Sequence, residues 1–323
     1  PYKSWRPICV KNAGAYNPHR TLHHSRGVAM FCMDYMFMTQ KPSEEDLMYP
    51  ILVIKEKISN GVWALPVIRK GAYKSKIVKR VTEIINSVGS PKIIIKSDQE
   101  PAIVDLQKEI RKELWDEIIE IAKQTKGIKE GTIKDDFIKP TGGEVILENS
   151  PVGESQSNGF VENAIREVQN QVRKLKSQLE LNSASEISSK SSIVPWLIRY
   201  AAQTIHSFKI HRVDGRTSRQ RIRSDPTMPE IPKFAERVMF KPAKTVSIQK
   251  DQSRWRTGIW LEFIDGTNEH IIGTCRGTLK CRAIRRFDAT GQFNAIEIED
   301  MRGSPWEPIP GRNTLKIPTN IEE

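Results

Sequence analysis

Apolar positions along the chain follow distinct rhythms, and each rhythm predicts an element. Continuous runs mark strands that need cover on both faces: Val28 to Met38, Tyr49 to Ile58 and Val62 to Ile68. Asn60-Gly61, between the second and third runs, is a two-residue hairpin signal, so the three predict an antiparallel meander. Spacing by threes and fours marks helices. It holds over Ser75 to Val88, where Gly89 is the stop, and again after Pro101 through Ile103, Leu106, Ile110, Leu114, Ile118 and Ile121. Lys92 to Lys96 and Gly143 to Leu147 are short apolar strands, while Lys126 to Gly143 has no period and reads as a loop. Asn149 to Gly153 then turns the chain into a helix whose stripe is Val161, Ile165, Val168, Val172, Leu175 and Leu179, with Ser157 or Asn158 as its cap. A serine-rich loop, Ser183 to Ser192, leads to a last long helix over Val194 to Phe208, in which His206 reads as a packed or capping residue. From Arg237 the pattern shortens to Val238-Met239-Phe240, Gly258 to Leu261, His270 to Ile272 and Leu279 to Arg282 between turns, which predicts a small all-β barrel.

The expected fold is therefore α/β: a mixed sheet, antiparallel meander first and parallel strands after, flanked by helices and followed by a barrel-like unit. The organisation predicted is an arm at 1–27, a core at 28–210, a basic and proline-rich linker at 211–233, the β unit at 234–300 and an irregular tail at 301–323. The 323 residues are ample for such cores.

Charge changes the picture from fold to partner. The chain carries a formal +12, and residues 209–286 hold 18 Lys and Arg against 8 Asp and Glu. An excess of this size points to a polyanion, with nucleic acid first. Arg216, Arg219, Arg221 and Arg223 crowd the linker, and strand alternation would set Lys280, Arg282 and Arg286 on one face, either solvated or contacting phosphate. The longest apolar run contains Asp34 and is too short to span a bilayer, so no membrane partner is expected. Cys9, Cys32, Cys275 and Cys281 form no disulfide framework. Cys9 lacks the close partner a zinc site needs, because position 6 is Arg, so no zinc is expected. A start at Pro1 rather than Met suggests a product of a longer polyprotein.

Three carboxylates stand out against this basic background. Asp34 interrupts an apolar strand, where an acid is costly unless paired or bound to metal. Asp98 sits at the carboxyl end of a strand, where sheets with helical crossovers place their chemistry. Glu162 opens the helix face on which Arg166, Gln169, Arg173 and Lys176 follow at helical spacing. Glu100, next to Pro101, reads as a first-turn charge favoured by the helix dipole. Three acids drawn from distant positions suit a site for two hard divalent cations, Mg²⁺ or Mn²⁺, that activate one oxygen and steady another in phosphoryl transfer.

Met33-Asp34-Tyr35, Lys96-Ser97-Asp98-Gln99-Glu100-Pro101-Ala102 and Ser155-Gln156-Ser157-Asn158-Gly159-Phe160-Val161-Glu162-Asn163 together resemble the integrase catalytic core of retroviruses and long-terminal-repeat retrotransposons, in its copia-like branch. This is the Asp-Asp-Glu class of the ribonuclease H-like superfamily. The resemblance implies that Asp34, Asp98 and Glu162 bind the metals and that Arg166, Gln169 and Arg173 lie along DNA. It implies processing of element ends, attack of the freed 3′ hydroxyl on target DNA, a multimer of the chain, and a nuclear site of action. Two departures are visible. Asp98 and Glu162 stand 64 positions apart, farther than the family spaces them, which predicts an insertion at about 105–142 and makes Glu148 and Glu154 alternatives to Glu162. Trp5-Arg6-Pro7-Ile8-Cys9 resembles the end of the family's zinc module with its first Cys replaced. A nucleic-acid-binding relic of the same fold is the rival reading, and another nuclease of that fold is a third.

Overall fold

A computed structural model describes residues 28–38, 49–72, 76–126, 144–150, 158–223, 229–242 and 253–311. The predicted arm, the loop of the insertion, the turn after Ser150 and the end of the tail lie outside the described residues.

Five strands, β1 (Val28–Met36), β2 (Ile51–Glu56), β3 (Val62–Pro66), β4 (Lys92–Ser97) and β5 (Glu144–Asn149), form one sheet in the order β3-β2-β1-β4-β5. β1, β2 and β3 pair antiparallel, whereas β4 and β5 run parallel to β1. This is the mixed sheet, antiparallel meander first and parallel strands after, that the sequence predicts. Ala29, Phe31, Met33 and Tyr35 of β1 pack with α1 (Lys76–Val88) and the first half of α2 (Pro101–Lys126). Met30, Cys32 and Met36 face α3 (Gly159–Ser183) and α4 (Val194–Phe208). Burial on both faces is why β1 shows no polar alternation.

The β2–β3 connection differs from the expected two-residue hairpin. Lys55 pairs with Val62, and the Glu56 N–H reaches the Gly61 carbonyl at 2.9 Å, which leaves four residues in the turn. The Glu56 carboxylate decides this. It is fully buried and accepts from the Ile58 N–H (2.9 Å), the Ser59 N–H (2.5 Å) and the Ser59 hydroxyl (2.6 Å). Asn60, at φ 58°, closes the turn in the left-handed region that Asn tolerates.

The second sheet is entirely antiparallel: β6 (Arg237–Phe240), β7 (Arg256–Ile264), β8 (Glu269–Thr274), β9 (Gly277–Cys281) and β10 (Ile284–Arg286), in the order β10-β6-β7-β8-β9. It docks on α4. Tyr200 stacks on Phe234 at 5.2 Å and meets Trp260 edge-on at 5.5 Å, and the Trp196 indole donates to the Gly303 carbonyl at 2.9 Å. Each buried side chain of this size contributes about 1.5–3 kcal/mol. The buried Arg199–Glu262 pair at 2.7 Å gains little net, because desolvation offsets it. The seam is therefore held by its aromatics, and the two units share one apolar core.

The arginine-rich linker is tied down rather than open. Thr217 and Gln220 form a capping box at the start of α5 (Ser218–Ile222). Arg219 and Arg223 both pair with Asp265, at 2.9 and 3.0 Å, and Arg221 pairs with Asp214 at 2.7 Å.

Candidate active site

Register brings the two aspartates to one level. β1 and β4 are parallel, with Cys32 beside Lys96, so two residues farther on Asp34 stands beside Asp98, the first residue past β4. Neighbouring strands are about 4.8 Å apart. Asp34 belongs to the β1 face of Met30, Cys32 and Met36, the face that α3 covers. Its Oδ1 accepts from the Tyr35 N–H at 2.7 Å. Burial pushes the Asp34 carboxyl up to about 6, and the negative fields of Asp98, Glu100 and Glu162 add to the rise, while the Tyr35 N–H opposes it. Each of these acids therefore lies within electrostatic reach of Asp34.

Asp98 sits in a built turn. Its Oδ1 accepts from the Glu100 N–H at 3.2 Å, and Gln99 Nε2 donates to the Ser150 carbonyl at 2.9 Å, tying the end of β4 to the end of β5. Glu100 differs from the first-turn charge expected. Its carbonyl accepts from Ile103 and Val104 at the head of α2, and its carboxylate is bound by Lys70 at 2.7 and 2.8 Å.

Glu162 is placed by α3. Val161, Ala164, Val168, Val172 and Leu179 are buried against the sheet, and Glu162 follows Val161 in the first turn, half-buried. The cap differs from expectation. Asn158 holds the N-cap position at φ −101° and ψ 3°, not the extended backbone that turns a capping side chain onto the helix, and it makes no cap bond. Its Oδ1 is instead buried and finds no partner among the described residues. Of the alternatives to Glu162, Glu148 is engaged with Lys96 at 2.9 Å, and Glu154 lies outside the described residues.

The donor set, three carboxylates, suits a hard divalent cation in its chemistry. Their side chains do not converge around such an ion: among the described residues no three of His, Cys, Asp and Glu stand close enough to hold a metal.

Along α3, Arg166 and Arg173 are exposed and each donates to an Asn three residues back, Asn163 and Asn170. Lys176 is 3.5 Å from Glu180, and Gln169 is half-buried. The common face expected for Lys280, Arg282 and Arg286 is not formed by alternation. β9 ends at Cys281, β10 begins at Ile284, and the two strands lie at opposite ends of the sheet order. Lys280 and Arg282 lie 3.7 and 3.9 Å from Glu269, with the Arg282 side chain 80% exposed. Arg286 is held by the fully buried Glu236 at 2.6 Å and by Glu230 at 2.5 Å. His206 is the packed residue expected: its ring lies 4.9 Å from Trp63, and burial lowers its pKa to about 4. Lys70 carried no sequence signal, because Arg69-Lys70-Gly71 reads only as the exit of a strand.

No family model matches the chain, and no curated protein matches it. Solved structures do. An HTLV-2 integrase catalytic core domain in complex with magnesium aligns with 60% of this chain and 95% of its own, at 13% identity and TM-score 0.37. A simian T-cell lymphotropic virus intasome in complex with PP2A regulatory subunit B56 gamma covers 87% of both chains, at 15% identity and TM-score 0.44. A BIV integrase catalytic core covers 59% of this chain and 91% of its own, at 15% identity and TM-score 0.34. The mixed five-stranded sheet is read from this chain's own strand order and register. No described helix is long and apolar enough to cross a membrane.

Proposed function

We propose that this chain is a retrotransposon integrase, a polynucleotidyl transferase that processes DNA ends and joins them to target DNA, with Asp34, Asp98 and Glu162 as ligands for two Mg²⁺ or Mn²⁺ ions. One observation carries the reading: parallel register sets Asp34 and Asp98 at one strand end, and Glu162 opens the helix that covers that face of β1. Acids set at one strand end of a chain whose net charge is +12 suit a cation partner. When bound, the metals would supply the positive charge that offsets the carboxylates and polarises a phosphate.

The chain's own groups do the rest. Asp34 is fixed in mid-sheet by its strand and by the Tyr35 N–H. Asp98 is fixed by the turn that opens α2. Glu162 rides on a helix anchored by its buried stripe. Arg166, Gln169, Arg173 and Lys176 continue along α3 from Glu162 and would follow a DNA backbone. Arg282 is one of several exposed cations of the β unit, whereas Arg286 is committed to Glu236 and Glu230. The partners implied are DNA ends, target DNA and further copies of the chain, and the place of action is the nucleus, where target DNA resides.

A relic that binds nucleic acid without cutting it is the second reading, favoured because no three of His, Cys, Asp and Glu stand close enough to hold a metal among the described residues. A strand-transfer assay on a DNA oligonucleotide with Mg²⁺ or Mn²⁺ separates the two. The integrase reading expects joined products that Asp98→Asn removes. Products that persist in Asp98→Asn would sink the mechanism, and DNA binding without any product would favour the relic.

A further inference from the structure

Among the described residues five charged side chains are buried: Lys55, Glu56, Arg219, Glu236 and Glu262. Four are answered within the fold. Glu56 accepts three hydrogen bonds from its own turn, and Arg219, Glu236 and Glu262 pair with Asp265, Arg286 and Arg199. Lys55, 5% exposed, has no hydrogen bond and no ion pair among the described residues. Its ammonium lies 5.7 Å from the ring centre of Phe160. Burial lowers its pKa to about 8, and Glu167 opposes the fall, but Lys209 already holds Glu167 at 2.5 Å. A buried ammonium without a counter-charge is costly to stability and suits an anion supplied from outside.

The setting is basic. Lys55 pairs with Cys32 in the sheet and so shares its α3 side. A loop closed by the Ile210–Thr217 bridge comes alongside. Its first residue, Lys209, is tied to α3 through Glu167. Arg221, in α5, donates to the Ile58 and Ser59 carbonyls of the β2–β3 turn at 3.5 and 3.4 Å. Arg221, Lys55 and Lys209 all act on His211, whose pKa is lowered first by burial and then by these three cations. Glu167 and Asp214 neutralise Lys209 and Arg221, which leaves Lys55 the uncompensated charge of this group. Arg212 and Arg216 stand exposed on the loop.

We propose that Lys55 is the floor of a phosphate site between β2, α3 and the 209–217 loop, and that it takes a backbone phosphate of a nucleic acid. A phosphodiester carries one negative charge, which matches the one charge left over. Arg212 and Arg216 suit the neighbouring phosphates of the same strand. The assignment rests on the nucleic-acid part of the reading above and not on the metal centre.

Titration of the full chain with a DNA oligonucleotide in chelator, across a range of salt, tests the site. NMR of lysine labelled with ¹³C at Cε reads Lys55 directly, its resonance identified by loss in Lys55→Met. Lys55→Met removes a buried charge and is expected to melt no lower than wild type, so lost binding is not lost folding. It is expected to weaken DNA binding and to lower the salt slope by about 1, and the oligonucleotide is expected to shift the Lys55 resonance. Inorganic phosphate is the second probe. A shift with the oligonucleotide, with or without one from phosphate, supports the site, whereas a shift with phosphate alone overturns the backbone contact. Wild-type DNA binding with an unmoved resonance and a slope that Lys55→Met leaves unchanged overturns this assignment alone. No DNA binding by wild type overturns the nucleic-acid reading and this site with it.

Discussion

Asp34→Asn is expected to stabilise the metal-free protein at neutral pH, against the usual rule that buried substitutions destabilise. The Asp34 carboxyl is raised from 3.8 to about 6. A little over two units at 1.36 kcal/mol each sets a ceiling of about 3 kcal/mol, and solvent screening at a partly buried group reduces this to about 1–2 kcal/mol. Between 3.8 and about 6 the folded state binds a proton that the unfolded chain has released, so stability falls as pH rises through that window, and the full penalty stands above it. Asn keeps an oxygen for the Tyr35 N–H and removes only the charge. Urea unfolding in a chelator should show the variant ahead at about pH 7.5 and level with wild type at about pH 4. Added Mn²⁺ should reverse the order, since wild type alone keeps the full ligand set. A variant less stable than wild type at both pH values, without metal, would mean that Asp34 is a satisfied structural acid and that the repulsion argument fails.

Other outcomes follow from the same geometry. Arg282→Ala should weaken DNA binding and lower its salt slope by about 1, whereas Arg286→Ala should destabilise the β unit by about 3 kcal/mol by stranding the buried Glu236; salt-dependent DNA titration and urea unfolding distinguish them. Lys55 is buried and its pKa is lowered to about 8, mainly by burial, so folded-state stability should rise as pH climbs from about 8 toward 10.5. Lys55→Met should accordingly stabilise at neutral pH by about 1–2 kcal/mol and lose that advantage in alkali, as read by thermal unfolding. Glu262→Gln should cost about 3 kcal/mol by leaving the Arg199 guanidinium buried without a charge partner, and a double change that replaces both by apolar residues should recover most of it.

Elements were legible where one rhythm governed a whole segment. β1, α1, α2, α3 and α4 all form within a few residues of the positions predicted, because each buries a face whose period is written locally. What failed depended on partners distant in sequence, or on one side chain overriding a local rule. Glu56 rebuilds the turn that Asn60-Gly61 announced. Asn158 stands at the cap in a backbone that forbids capping. The strand is interrupted at 282–283, so alternation cannot run from Lys280 to Arg286. Docking of the β unit rests on Trp196 with Gly303 and on Tyr200 with Phe234, pairings with no local signature. Within the candidate site, Asp34 and Asp98 could be read from where acids fall on strands, and Glu162 from its helix. The Lys70 grip on Glu100 could not, since 30 residues and two elements separate them.

The central claim is that Asp34, Asp98 and Glu162 form one divalent-metal centre. Anomalous diffraction from a crystal soaked in Mn²⁺ tests it most directly. Two peaks about 4 Å apart, bounded by those three carboxylates, are the predicted result. Peaks bound elsewhere, or a site in which Glu148 leaves Lys96 and stands in the place of Glu162, would contradict it.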